Sequence, residues 1–328
     1  MARELIWANL IHLSYNMWCD RALATEGDEQ PHIVWDPRLR FDDGLWSELV
    51  VAMVEAGINM VVLDLGDGVR YLSRPEIAVE GAWRPERLRR ELRRLRQVGI
   101  EPIPKLNFST AHDAWLGPYA RMVSTPAYYE VCGDLIREVC ALFDGPRFFH
   151  LGMDEETADH QRDYALAMMR QHELWWHDLA FLVGEVERTK SRAWVWSDYV
   201  WARPAEFYAR MPRTVVQSNW YYEPDFAERK VADAPEAYEY RRAFLAYDDM
   251  DAAGFEQVPT GSNWSHPDNF GALAAYCREH IAPERLLGFL QTPWKPTLPE
   301  CRDHHLAAIE QVARARADWP AAQPDAST

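Results

Sequence analysis

No window of the sequence approaches the roughly 18–20 consecutive apolar residues that cross a bilayer as a helix, so a transmembrane helix is not expected. Positive charge is also in short supply: 35 Lys and Arg stand against 51 Asp and Glu, a net charge of −16. Nucleic acids and anionic membrane surfaces are bound through excess Lys and Arg, so neither is expected as the main partner. Cysteine is sparse, odd in number and scattered, at Cys19, Cys132, Cys140, Cys277 and Cys301. With no CxxC spacing, this argues against a disulfide scaffold or a zinc site and fits reduced thiols in a cytoplasm. HxH and HExxH are absent too, and no Gly-rich fingerprint follows the first apolar run, so neither a metal nor a dinucleotide cofactor is expected. The N-terminal residues run directly into a strand-like segment without the three-part pattern of a secretory signal, and a cytoplasmic location is the expectation.

What remains is a soluble globular profile over 328 residues, 48% hydrophobic and 26% charged, with no internal repeat and no Pro/Gly/Ser linker. Aromatics are abundant, with 15 Trp, 14 Tyr and 12 Phe. They suit a packed core, and they also suit a cleft whose flat apolar faces receive a ring-shaped ligand.

Apolar runs of strand length alternate with stretches of helical periodicity. Strands are expected at 5–13, 58–65, 100–107, 147–152, 193–199, 214–220, 257–264 and 287–294. Helices are expected at 44–56, 85–98, 126–143, 162–188, 204–210, 235–253, 269–281 and 301–317. Such alternation implies a parallel sheet with right-handed crossovers. Eight units over this length fit a single-domain α/β fold, the (β/α)8 TIM barrel, better than an open sheet. The expected barrel spans 1–318, with a flexible tail at 319–328.

In a barrel of this kind function gathers at the C-terminal ends of the strands. Those ends read His12 and Tyr15; Asp64 and Asp67; Lys105, Asn107 and His112; His150, Asp154 and Glu155; Trp196 and Asp198; Asn219, Trp220 and Tyr221; Asn263 and Trp264; Gln291 and Trp294. Polar and aromatic residues concentrate there, which favours a carbohydrate-binding cleft. The densest stretch is His150-Leu151-Gly152-Met153-Asp154-Glu155-Glu156. Glu156 suits the first turn of a following helix, whereas Asp154 and Glu155, neighbours pointing to different faces, suit two parts of one substrate.

This stretch resembles the fourth barrel strand of glycoside hydrolase family 20, the β-N-acetylhexosaminidases, which ends His-x-Gly-Gly-Asp-Glu; Met153 replaces the second Gly. On the second strand Asn59 and Asp67 match, with Asp64 at the family's His position. On the third strand only His112 is kept from Glu-x-Asp-x-Pro-Gly-His, and Trp294 has the expected place on the eighth. The resemblance implies a retaining glycosidase in which the substrate's own 2-acetamido oxygen attacks the anomeric carbon. Glu155 would be the general acid and base, and Asp154 would orient the acetamido group. Asp67 and His112 would form a relay behind Glu155 that raises its pKa, with His150 also supporting the site. His12, Trp196, Asp198, Trp220, Tyr221, Trp264 and Trp294 would hold the sugar, Tyr221 as an acetamido partner. The family's first-strand Arg and eighth-strand Trp-x-Glu are missing here, so the groups that select a terminal sugar are rebuilt.

Three other readings compete. A two-carboxylate glycosidase would pair Glu155 with Asp198 or with an acid from Asp248-Asp249. A metal-dependent hydrolase would gather Asp64, His112, His150 and Asp154. A non-catalytic sugar-binding barrel would account for Met153 and the lost contacts.

Overall fold

The structure, a computed structural model, describes residues 4–22, 32–226 and 238–320. Eight parallel strands follow one another with helices between them: β1 (Ile6–His12), β2 (Met60–Asp64), β3 (Glu101–Lys105), β4 (Phe148–His150), β5 (Arg192–Trp196), β6 (Val216–Ser218), β7 (Thr260–Gly261) and β8 (Gly288–Gln291). The helices are α1 (Asp43–Glu55), α2 (Pro85–Gln97), α3 (Pro126–Leu142), α4 (Glu173–Arg188), α5 (Tyr199–Ala202), α6 (Pro204–Arg210), α7 (Tyr238–Ala252), α8 (Phe270–His280) and α9 (Arg302–Ala317). Ladders join the strands in the order β6-β5-β4-β3-β2-β1-β8-β7. Isolated bridges Gln217–Gln257 and Trp220–Thr260 close the ring between β6 and β7. The result is the (β/α)8 barrel expected from the alternation.

Strand parity builds two cores. Ile6, Ala8 and Leu10 point into the barrel with Met60, Val62, Ile103, Phe148, Trp194 and Leu290. Trp7, Ile11, Val61, Leu63 and Phe289 point outward to the helices. The helices answer with single apolar faces. In α2, Pro85 starts the helix, where its missing N–H costs nothing, and Leu88, Leu92 and Leu95 are fully buried beneath an Arg-rich outer face. Truncating any one of these leucines to Ala costs about 2–5 kcal/mol on the usual scale for buried sites.

Register places the site. His12 pairs with Asp64, Asp64 with Lys105, and Lys105 with His150. Four polar residues thus stand side by side across β1–β4 at the inner mouth, directly above the apolar interior.

Two expectations change. Residues 162–172 are not helical, and α4 begins only at Glu173. The reason is tertiary: Arg170 is buried and bonds Glu156, Asp178 and the Phe108 carbonyl, while Met168 N–H donates to Gln161 Oε1. Those contacts override helical periodicity. Trp319, expected to open a flexible tail, packs edge-on against Trp7 at 5.6 Å and against Phe289 at 5.5 Å; residues 321–328 lie outside the described residues. All five cysteines are free and buried. No helix among the described residues is long and apolar enough to cross a membrane.

Candidate active site

The chain leaves β4 through Gly152, whose φ of 72° is left-handed. A Cβ there would lie 1.9 Å from Asn107 Oδ1, so only Gly fits. That close approach lets Asn107 bracket the loop: its Oδ1 accepts from the Met153 N–H at 3.2 Å and its Nδ2 donates to Asp154 Oδ1 at 2.8 Å. Ser109 Oγ donates to the Asp154 carbonyl. Met153 and Glu155 also have positive φ, 77° and 54°. Non-glycine residues pay of order 1–3 kcal/mol for such backbone, a cost concentrated at functional sites. The Glu155 N–H, turned by this bend, donates to Asp198 Oδ2 at 2.8 Å.

His112, on the loop after β3, joins the two acids. Its Nε2 lies 3.1 Å from Glu155 Oε2 and 3.3 Å from Asp154 Oδ2. Burial alone would lower its pKa, but the facing Asp154 and Glu155 outweigh that and raise it to about 10. His112 is therefore an imidazolium at neutral pH. Burial pushes the Glu155 carboxyl up, yet hydrogen bonds and charge from His112 and His160 prevail and hold it well below the usual carboxylate range. This reverses the expected rise of the Glu155 pKa. Burial, reinforced by the charges of Asp154 and Glu155, raises Asp198 well above the ordinary value.

Asp67 does not take part in the relay expected of it. Its carboxylate accepts from Ser14 Oγ and from Asn16 Nδ2, the latter at 2.8 Å. His112 Nδ1 is buried with no hydrogen-bond partner. The β1–α1 loop captures Asp67, which sequence spacing alone could not show. Burial raises the Asp67 carboxyl to about 7, partly offset by those two bonds.

His12, Asp64 and Lys105 form a second polar group inside the mouth. Lys105 Nζ donates to Asp64 Oδ2 at 2.5 Å, and His12 Nδ1 lies 3.2 Å from the same oxygen. Burial would raise Asp64, but Lys105 and His12 bring it down to about 2. Burial lowers His12 and His150, keeping both neutral. His150 Nδ1 accepts from the Gly152 N–H at 3.1 Å, which leaves the ring proton on Nε2. The four residues imagined as a metal set are therefore divided, with Asp64 committed to Lys105 and His12. Donor atoms of His112, Asp154 and Glu155 do lie within 4.8 Å of one another, a spacing open to a cation.

Three of the four expected tryptophans are joined in one chain of aromatic contacts through Tyr222. Trp196 is buried, with its ring 4.4 Å from His150 and 5.7 Å from Trp294. Trp294, at φ 50°, lies 5.6 Å from the His12 ring. Trp220 stacks on Tyr222 at 5.4 Å. Trp264 instead sits under the Lys295 ammonium at 4.6 Å. Tyr221 is a core residue, packed against Phe226 and Phe244. The next residue, Tyr222, faces the site: its hydroxyl accepts from Trp294 Nε1 at 3.0 Å. Burial raises the Tyr222 phenol, and the charges of Glu155 and Asp154 add to the effect. Sequence reasoning also missed Trp18, whose ring lies 5.9 Å from His112, and His160, whose Nε2 lies 3.4 Å from Glu155 Oε1. Asp248 is occupied elsewhere, accepting from Tyr276 and contacting His280 on α8.

No family model matches the chain, and no curated protein does. Solved structures do. A glycoside hydrolase family 20 exo-β-N-acetylglucosaminidase from Vibrio harveyi, in complex with N-acetylglucosamine, superposes with a TM-score of 0.60 at 14% identity, covering 95% of this chain and 54% of that one. A β-N-acetylhexosaminidase from Bacteroides fragilis gives a TM-score of 0.58 at 12% identity, covering 93% and 65%. The N-acetyl-β-hexosaminidase of Streptomyces plicatus gives 0.58 at 12% identity, covering 94% and 64%. At these identities the likeness is one of fold, and the chain spans about half to two thirds of the length of these structures.

Proposed function

We propose that the protein is a glycoside hydrolase acting on N-acetylhexosamine-containing sugars by the substrate-assisted, retaining route. The observation that carries this reading is the adjacent pair Asp154 and Glu155 bridged by one buried imidazole, in a barrel that also links Trp196 to Trp294 and Trp294 to Tyr222 and Trp220. In the proposed reaction Asp154 accepts the acetamido N–H, and the acetamido oxygen attacks the anomeric carbon. The Tyr222 hydroxyl supports that group in place of Tyr221. A sugar seated in the cleft displaces water from Glu155 and favours its neutral form. That acid protonates the leaving oxygen as the glycosidic bond breaks, and the resulting carboxylate then takes a proton from the attacking water. The indole faces supply stacking area.

The fold neighbours named for N-acetylglucosamine and N-acetylhexosamine chemistry support the substrate class. The test is release of a chromogenic aglycone from N-acetylglucosaminide and N-acetylgalactosaminide, compared with the corresponding glucoside. Turnover of the N-acetyl sugars alone is expected, and equal turnover of the glucoside would reject the acetamido role. One observation favours a second reading. Asp198 Oδ2 accepts from the Glu155 N–H, and burial with the neighbouring acids raises its carboxyl, which brings a second carboxyl beside Glu155 as a two-carboxylate glycosidase needs.

A further inference from the structure

Glu155 is held from both sides, and only one of its partners is open to water. His112 meets Oε2, but its side chain is 4% exposed and its proton is shared with Asp154. His160 meets Oε1 at 3.4 Å with a side chain 41% exposed. The loop fixes this second contact. His160 Nδ1 lies 2.8 Å from Thr157 Oγ1, and the Thr157 N–H donates to the carbonyl of Glu155 itself at 2.7 Å. The ring that touches the carboxylate is thus tied to the same residue's backbone through a short turn.

We propose that His160 is a positioning residue which, with Glu155, forms one acid unit and sets the pH range in which Glu155 has a transferable proton. The inference rests on the hydrolase reading above. The step is a single proton transfer: the imidazolium Nε2–H of His160 passes its proton to Glu155 Oε1, giving a neutral imidazole and a carboxylic acid. Of the two neighbouring imidazoles, His112 is committed, because losing its proton would leave Asp154 and Glu155 facing each other uncompensated. The proton that responds to solvent is therefore held on His160. The groups acting on that ring are Glu155 and Thr157 by contact, with Asp154 and His112 by charge; the Glu155 contact is the strongest of them and raises the His160 pKa. An isolated carboxylic acid loses its proton at about pH 4–5, whereas a unit built with His160 keeps one to higher pH.

Two measurements on the protein decide it. The first follows the His160 ring by NMR titration in the native protein and in Glu155→Gln. A midpoint above the ordinary histidine value that falls back in the variant is expected, and an unchanged midpoint would overturn the pairing. The second is the pH profile of kcat/KM for His160→Gln, in which the alkaline limb should move to lower pH. Moving the limb by one pH unit costs about tenfold in rate above it, with little loss on the acid side. Free imidazole should restore the limb in His160→Gly. A loss of equal size at every pH, without rescue, would mean that His160 only supports the loop and would overturn the proposal. Coupled titration in a native protein that cleaves no glycoside would reject the hydrolase reading while leaving the pair in place.

Discussion

His112 Nε2 stands 3.1 Å from Glu155 Oε2 and 3.3 Å from Asp154 Oδ2, so a single imidazole proton serves two carboxylates. This bridge lets two adjacent acids coexist in a buried mouth, where two unpartnered charges would force one to protonate. The two acids differ in setting, because Asp154 is further fixed by Asn107 while Glu155 is 26% exposed.

Glu155→Gln keeps the size and the backbone contacts of the side chain but cannot deliver a proton. Turnover of a substrate with a poor leaving group should fall by about 10²–10⁴-fold. The loss should be much smaller for a nitrophenyl aglycone, which departs without protonation. Near-normal rates on the poor leaving group would remove Glu155 from the acid role.

Asp154→Asn should penalise N-acetyl sugars more than sugars with a free 2-hydroxyl, because in the proposed reaction only the former use the carboxylate to orient the attacking amide. Comparing kcat/KM for the two substrate types gives the selectivity directly. Equal penalties would transfer the chemistry to Asp198 and the two-carboxylate route.

Gly152→Ala places a methyl 1.9 Å from Asn107 Oδ1 at a left-handed φ. Asn107 must move, which breaks its bonds to Met153 and Asp154, so a destabilisation above about 4 kcal/mol is expected. Chemical denaturation measures it. A change within about 0.5 kcal/mol would show that the loop after β4 is not held by Asn107.

Asp67 makes a pH signature in stability. Burial raises its carboxyl in the folded protein to about 7, whereas in the unfolded chain it titrates at about pH 4 like any exposed aspartate. Between these values the folded state holds a proton that the unfolded state has released, so this contribution is complete below about pH 4 and is lost as pH rises through about 7. Within that window each pH step of one changes the stability by about 1.4 kcal/mol. Asp67→Asn should therefore flatten the decline in melting temperature across the window, while a slope identical to the native one would place the titration elsewhere.

The barrel was legible because its strands are short, nearly all-apolar runs separated by helical periods, and the resulting strand ends pointed at Asp154, Glu155 and His112. What was not legible depends on loops. Parity tells which residue of a strand faces inward, but β6 ends at Ser218, so beyond it Tyr221 and Tyr222 could not be distinguished by counting. Asp67 went to Ser14 and Asn16 because the β1–α1 loop folds over it, contacts across 53 and 51 residues of chain with no shared sequence signal. His160 was missed because it stands just before a stretch whose helical pattern is overridden by the buried Arg170.

The closure between β6 and β7 rests on isolated bridges at Gln217–Gln257 and Trp220–Thr260, where the other neighbouring strands share the sheet's ladders. Among the described residues three main-chain bonds cross this closure, from the Gln217, Val258 and Thr260 N–H groups to the Glu256, Gln217 and Asn219 carbonyls, so few need to break for it to part. Its upper bridge is made by the backbone of Trp220, whose indole stacks on Tyr222. A ligand that presses on this aromatic pair therefore acts on the clasp of the barrel itself. Occupancy of the cleft should be felt as slowed amide exchange along 216–220 and 257–261, away from Asp154 and Glu155.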